Sequence, residues 1–376
     1  MKKSALIVMA SVLSFSLSAC GGVKNWENNL NDYVYSMNFH NNFNVLQLTD
    51  IHWNNNSSTT DSKQYLEKLF NEVDKHLKAT QGNNAKIDLI ELTGDQFMLS
   101  NSYHVKTFLQ FFEEQAVKHG FMYAAIWGNH DRHGLYNPNW LGEQHKKAEH
   151  CIYIEEEDNL YGRSNFVINL NQGGSTKWQL FNLDSGASFS ETAISPFRDY
   201  DYLRQDQVQW YIKENKAADF APAIAYYHIP QQDNLAAWNR IHKENVNLKH
   251  KFFKLEGFAD NGNEEYASDF IEVAGQQSLR AAFQGHAHNV DWTVELESGV
   301  VLGLGVKTGV ELYYAHIDPA DNDPALQEGL ASVGINEKFD LIGASLVTLV
   351  DVNHFDLEHL YFNERTSGDF VKWVKW

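Results

Sequence analysis

Phe121-Met122-Tyr123-Ala124-Ala125-Ile126-Trp127-Gly128-Asn129-His130-Asp131 passes from an unbroken apolar run into a glycine and three polar side chains. A short apolar run closed by a turn signal reads as a buried strand. The donors that follow therefore stand at a sheet edge. Asn129 offers a carbonyl oxygen that can ligate a metal without adding charge. His130 carries an imidazole, and Asp131 a carboxylate able to hold that imidazole in one tautomer and favour its charged form. A helix cap built on Asn129 or Asp131 is the bland alternative. The run of four favours chemistry.

The same grammar recurs on both sides. Phe43 to Thr49 runs into Asp50-Ile51-His52, and Ile87 to Leu92 into Thr93-Gly94-Asp95. Ala223 to Tyr227 ends at His228, and Leu279 to Phe283 leads to Gly285-His286-Ala287-His288. Between these runs lie helical periodicities: Leu66, Leu69, Phe70, Val73 and Leu77; then Val105, Phe108, Leu109 and Phe112; then a helix over Leu203 to Lys216. Trp178 to Leu183, Val300 to Leu304 and Leu341 to Val350 read as further strands. The fold class is α/β, with two sheets packed together and helices outside. Every donor group falls at the carboxyl end of a strand, the edge where open α/β sheets bind ligands.

Asp50, His52, Asp95, Asn129, His228, His286 and His288 offer oxygen and nitrogen but no thiol. That set excludes iron–sulfur and suits two hard or borderline divalent ions sharing one carboxylate. Asp50 and His52, at i and i+2, would point the same way from extended backbone and grip one ion. His286 and His288 can serve two different ions. No segment is decisive alone: Asp-x-His is weak, Gly-Asp after a strand is usually a plain turn, and a lone His228 is more often a core residue. The other histidines, His242 and His250 among them, read as solvated; His133, three residues past His130, is placed to meet a substrate. The long stretch from Gln231 to Tyr266 reads either as a substrate-facing insertion or as a surface helix pair.

The chain has 376 residues, 43% of them hydrophobic and 13% aromatic, which excludes extensive disorder. Its formal net charge of -19 argues against nucleic acid as a partner. An anionic substrate would need strong local positive charge, which two divalent ions supply. Lys2 and Lys3 precede an apolar stretch too short for a membrane span, closed by Leu17-Ser18-Ala19-Cys20. Residues 1–19 resemble a bacterial lipoprotein signal, which implies lipidation of Cys20 and a membrane-anchored, cell-envelope protein. Residues 20–42, rich in asparagine, read as a polar tether, and 43–376 as one domain. Cys151 then has no disulfide partner and reads as a small buried hydrophobe.

Taken in order, Asp50-x-His52, Gly94-Asp95, Gly128-Asn129-His130-Asp131, His228 and Gly285-His286-x-His288 resemble the calcineurin-like metallophosphoesterase superfamily. Leu183-Asp184-Ser185-Gly186, Gln205-Asp206-Gln207 with Trp210, and Tyr227-His228-Ile229-Pro230 are similar to a branch of small fungal and plant phosphatases related to purple acid phosphatases. The resemblance implies a four-layer αββα sandwich. It implies one metal on Asp50, His52, Asp95 and His288, and another on Asp95, Asn129, His228 and His286. His130 would be the acid–base residue and Asp131 the carboxylate supporting it from behind. Purple enzymes carry a tyrosine three residues after the bridging aspartate; here that residue is Met98, so no purple colour is expected and the ions could be manganese, iron or zinc. The function expected is an exported, lipid-anchored phosphoesterase acting on phosphorylated small molecules by attack of a metal-bridging hydroxide. The alternative is a non-catalytic surface lipoprotein that binds metal or a phosphorylated ligand.

Overall fold

In the computed structural model, residues 33–54, 59–132, 138–155, 160–187, 200–260, 267–362 and 371–376 are described. The chain opens with β1 (Val34–Asn38), β2 (Phe43–Leu48), α1 (Thr59–Gln81), β3 (Leu89–Thr93), α2 (Ser102–His119), β4 (Met122–Ile126), α3 (Pro138–His145) and β5 (Cys151–Ile152). It continues through β6 (Phe166–Gln172), β7 (Ser175–Asn182), α4 (Gln205–Ala217), β8 (Ala223–Tyr226), α5 (Asp233–His242), β9 (His250–Lys254), α6 (Phe270–Gly275) and β10 (Leu279–Gln284). It closes with β11 (Val290–Glu295), β12 (Val301–Leu304), β13 (His316–Ile317), α7 (Pro324–Val333), β14 (Phe339–Leu349), β15 (Phe355–Phe362) and β16 (Val371–Lys375).

These strands form two eight-stranded sheets. One runs β1-β6-β7-β8-β10-β12-β11-β9; the other runs β16-β15-β14-β2-β3-β4-β5, with β13 on β14. Each sheet has a parallel centre, β2-β3-β4-β5 in one and β7-β8-β10-β12 in the other. Strands β2, β3, β4, β8 and β12 are buried at every residue. Burial on both faces explains why they read as continuous apolar runs instead of alternating patterns.

The sheets face one another: Gln47 Nε2 of β2 donates to the Gln284 carbonyl of β10 at 2.9 Å, and Tyr361 of β15 donates to Asp291 of β11 at 2.5 Å. Helix α2 packs on one outer face, Phe112 against Tyr123, and α4 on the other, Tyr211 against Phe181. The order is therefore helix, sheet, sheet, helix, the expected four layers. Helix α2 is set at both ends: Asn101 accepts from the Tyr103 and His104 amides, and Gly120 closes it at φ 76°. Such an N-cap contributes about 1 kcal/mol.

Two expectations change. The tether assigned to 20–42 is too long, because β1 pairs in parallel with β6 from Val34 to Asn38. Tyr35 is buried there, so the ordered body starts before Phe43. The stretch from Gln231 is not a helix pair: α5 is followed by β9, which edges a sheet against β11. The tryptophan-rich end packs on the body as β16, with Trp373 stacked on His76 at 3.9 Å. The signal segment and Cys20 lie outside the described residues.

Candidate metal centre

Six loops converge at the carboxyl ends of β2, β3, β4, β8, β10 and β12. The loop after β2 brings Asp50 and His52, that after β3 Asp95, that after β4 Asn129 and His130. The β8 loop brings His228, and the β10 loop His286 and His288. Asp50, His52, Asp95, Asn129, His228, His286 and His288 are all buried. The expectation that Asp50 and His52 align through extended backbone is wrong. Asp50 (φ 53°), His52 (φ 51°), Asp95 (φ 50°) and His286 (φ 77°) all occupy the left-handed region. That conformation costs non-glycine residues roughly 1–2 kcal/mol each. Strained backbone of this kind clusters where side chains must be aimed.

The side chains form two groups, Asp50 with His52 and His288, and Asp95 with His228 and His286; the donor atoms of each lie within 4.8 Å of one another. In the first group, His52 Nε2 lies 3.0 Å from His288 Nε2. The same nitrogens lie 3.7 and 3.5 Å from Asp50 Oδ1. In the second, His228 Nε2 lies 3.1 Å from Asn129 Oδ1 and 3.4 Å from Asp95 Oδ1. Asp95 joins the groups, since its other oxygen, Oδ2, faces His52 Nε2 at 3.8 Å. The resemblance-based assignment, with Asp95 shared, fits this layout.

Hydrogen bonding shows that a cation belongs here. His228 Nδ1 lies 2.9 Å from the Thr93 carbonyl, an acceptor only, so Nδ1 carries the proton. In the neutral ring, Nε2 then turns a lone pair toward two oxygens, and only a cation between them removes the repulsion. Asp50 Oδ2 accepts from Thr49 Oγ1 and the His286 amide, which leaves Oδ1 pointing inward. Asp50 Oδ1, Asp95 Oδ2 and His286 Nε2 are buried and find no hydrogen-bond partner among the described residues. Buried polar atoms are rarely left so; bound metal would satisfy all three.

The titration behaviour agrees. Burial opposes charge on Asp50, but His288, His228 and His52 overcome it and hold the carboxyl well below its usual range. Asp95 is likewise held low, against burial, chiefly by His228. Burial lowers His228, yet the Asp95 and Asp50 carboxylates lift it to about 9, so without metal a proton sits there. Burial pushes His286 down to about 3. Metals bind neutral imidazoles and ionised carboxylates, so binding here would displace the His228 proton. The ligand set fits two divalent ions.

His130 is half-buried. Its amide donates to Asp95 Oδ1 at 2.8 Å, and its ring stands perpendicular to His52 with centroids 5.0 Å apart. It lies against the first group. Asp131 does not have the expected role of orienting His130. Its Oδ1 accepts from the Phe97 amide at 2.9 Å and its Oδ2 from the Gly128 amide at 2.8 Å. It therefore ties the β4 loop to the β3 loop, and burial raises its carboxyl to about 8. His133 lies outside the described residues. Arg132 pairs with Asp184, and Ser185 Oγ accepts from the Ile229 amide at 2.8 Å, steadying the backbone after His228.

Sequence reading missed several participants. Lys307, buried just past β12, donates from Nζ to the Asp50 carbonyl at 2.6 Å. The strand-end rule applied to β12 would have found it. Burial lowers its amine to about 8, partly offset by Asp50 and Asp95. Tyr200 and Tyr313 set their rings against His286 and His288, with centroids 4.2 and 4.6 Å apart, and so wall the centre. The motif glycines matter for their lack of a side chain: a Cβ on Gly128 would meet His228 Cδ2 at 2.8 Å and Asp95 closer still, and one on Gly285 would meet Asp50 Oδ2 at 2.8 Å. Among histidines read as solvated, His104, His119, His145 and His359 are buried.

Comparison with known proteins matches this geometry. Two relatives from Arabidopsis thaliana are similar to the chain. "Probable inactive purple acid phosphatase 29" is 24% identical over 307 residues, covering 72% of this chain and 73% of that protein. "Probable inactive purple acid phosphatase 28" is 24% identical over 310 residues, covering 72% and 71%. Residues 43–290 match the family described as calcineurin-like phosphoesterase, a span that begins at β2 and contains all seven metal-directed side chains. With sheet order, strand-end loops and ligand set in agreement over that span, the chain belongs to the calcineurin-like phosphoesterase family.

Proposed function

We propose that this chain is an exported, lipid-anchored phosphoesterase that hydrolyses phosphate esters of small molecules at a two-ion centre. One observation carries the reading: seven metal-directed side chains converge, three of them with buried donor atoms that find no partner among the described residues, and His130 stands beside them. Two divalent ions, held by these side chains, would lower the pKa of bound water and neutralise phosphate charge. The chain's own residues do the rest. Asp95 holds the two groups in register. His130 gives a proton to the leaving oxygen as the ester P–O bond breaks and a water oxygen bonds to phosphorus. Tyr200 and Tyr313 flank the approach. The overall charge of -19 repels anions at long range, so capture depends on the centre itself. Export and anchoring rest on the first twenty residues, with Cys20 as the lipidated position; Cys20→Ala should release the protein from the membrane fraction.

A second reading is favoured by the names of the two relatives, both called probable inactive. In that reading the chain binds metal or a phosphorylated ligand without turning it over. The full ligand set together with His130 supports catalysis. Hydrolysis of an aryl phosphate with added manganese, against a chelated control, separates the two. Metal-dependent turnover supports the enzyme; stoichiometric metal without turnover supports the binding protein.

A further inference from the structure

On elements that carry none of the centre's ligands, three side chains meet at the surface. His242 ends α5, His250 opens β9, and Glu328 lies on α7. Their donor atoms lie within 4.8 Å of one another. Glu328 Oε1 is 3.3 Å from His250 Nε2 and 3.7 Å from His242 Nε2. Donors at about 2.0–2.1 Å around a tetrahedral zinc stand roughly 3.3 Å apart, so these separations already approximate a ligand shell.

The His250 tautomer sharpens the point. Its Nδ1 lies 3.0 Å from the Leu248 carbonyl, which can only accept. Nδ1 therefore carries the proton, and in the neutral ring Nε2 presents a lone pair to a carboxylate oxygen. A cation placed between them would turn that repulsion into attraction. A backbone carbonyl on the far nitrogen is the usual support of a metal-binding imidazole. Both rings are also braced: His242 lies on Trp238 with centroids 3.7 Å apart, and His250 on Trp292 at 5.4 Å.

We propose that His242, His250 and Glu328 form a third metal site, separate from the phosphoesterase centre, that takes a borderline divalent ion, zinc foremost. Two neutral imidazoles and one carboxylate leave a net single positive charge and one open position for water. The ion staples α5 and α7 to β9. Helix α5 begins five residues after His228, and its Asn234 donates to Gln284 Oε1 at 2.9 Å, one residue before Gly285.

The test counts zinc on the full-length, chelator-stripped chain by equilibrium dialysis. In an Asp95→Asn background, which disables the phosphoesterase centre, one zinc per chain should remain. Adding His250→Ala or Glu328→Gln should weaken that binding on the order of 100-fold or more, since loss of a ligand exceeds the 10–100-fold typical of an outer partner. In the wild-type background the same substitutions should lower the zinc count by one and leave manganese-supported hydrolysis unchanged. No zinc in the Asp95→Asn chain, or equal zinc with and without His250 and Glu328, overturns the site and shows that a proton alone bridges the pair. Either result leaves the phosphoesterase reading untouched, because hydrolysis is scored separately.

Discussion

Gly128→Ala tests how tightly the centre is built. The added methyl carbon would stand 2.8 Å from His228 Cδ2 and inside contact distance of Asp95 Oδ1 and the Asp95 amide. Carbon atoms pack at about 3.5 Å or more, so His228 must retreat by about 0.7 Å and the Asp95 loop, closer still, by more. Metal–ligand distances tolerate only about 0.2 Å. Asp95 faces both groups, so the displacement reaches both ions. The expected result is a loss of affinity at least as large as the 10–100-fold that follows removal of an outer-shell partner, together with about 1–3 kcal/mol of stability from overpacking. Gly173→Ala is the control. Its φ is 63° with nothing within 4 Å of the added carbon. It should cost about 1–2 kcal/mol from backbone strain alone and leave metal binding unchanged. Competition against chelators of graded strength reads affinity, and urea unfolding reads stability. If Gly128→Ala keeps both ions at wild-type affinity, the close approach of glycine to the ligands is not what the site requires.

His130→Ala should lower turnover of an aryl phosphate by about 10²–10⁴ with metal content unchanged; full activity would remove His130 from the mechanism. Asp95→Asn should strip both ions, since one carboxylate serves both groups, and normal stoichiometry by elemental analysis would contradict the shared role. Glu91 is fully buried between the sheets, and burial raises its carboxyl to about 8, partly offset by Asn182. The folded chain holds this proton above the ordinary 4.5, so wild-type stability carries a component that falls between pH 4.5 and 8 and is level beyond, at most about 1.4 kcal/mol per pH unit. Glu91→Gln lacks it. Urea unfolding at pH 5, 6.5 and 8 should show the variant gaining on wild type; parallel curves would contradict a neutral buried Glu91.

The ligands were legible because each follows an apolar run, and a run buried on both faces signals its own end. The aim of those ligands was not legible. Nothing in Asp50-Ile51-His52 announces left-handed backbone at both donors; the fold imposes it. Asp131 misled because a carboxylate beside a histidine in sequence need not face it, and here two backbone amides claim both oxygens. Lys307 carries no motif, and its contact with Asp50 spans the gap between the sheets' loops. Strand β1 was hidden by its polar flanks, since only Tyr35 within it is buried. His242, His250 and Glu328 share no local pattern, and only the packing of α7 on β9 unites them. Their sequence separation makes such a group invisible to spacing rules.

The most direct measurement is anomalous diffraction from a crystal of the chain loaded with manganese. Two peaks about 3.5–4 Å apart are expected among the strand-end loops. One should be held by Asp50, His52, His288 and Asp95, and the other by Asp95, Asn129, His228 and His286. A single peak there, or none, would contradict the central claim that these seven side chains hold a pair of ions.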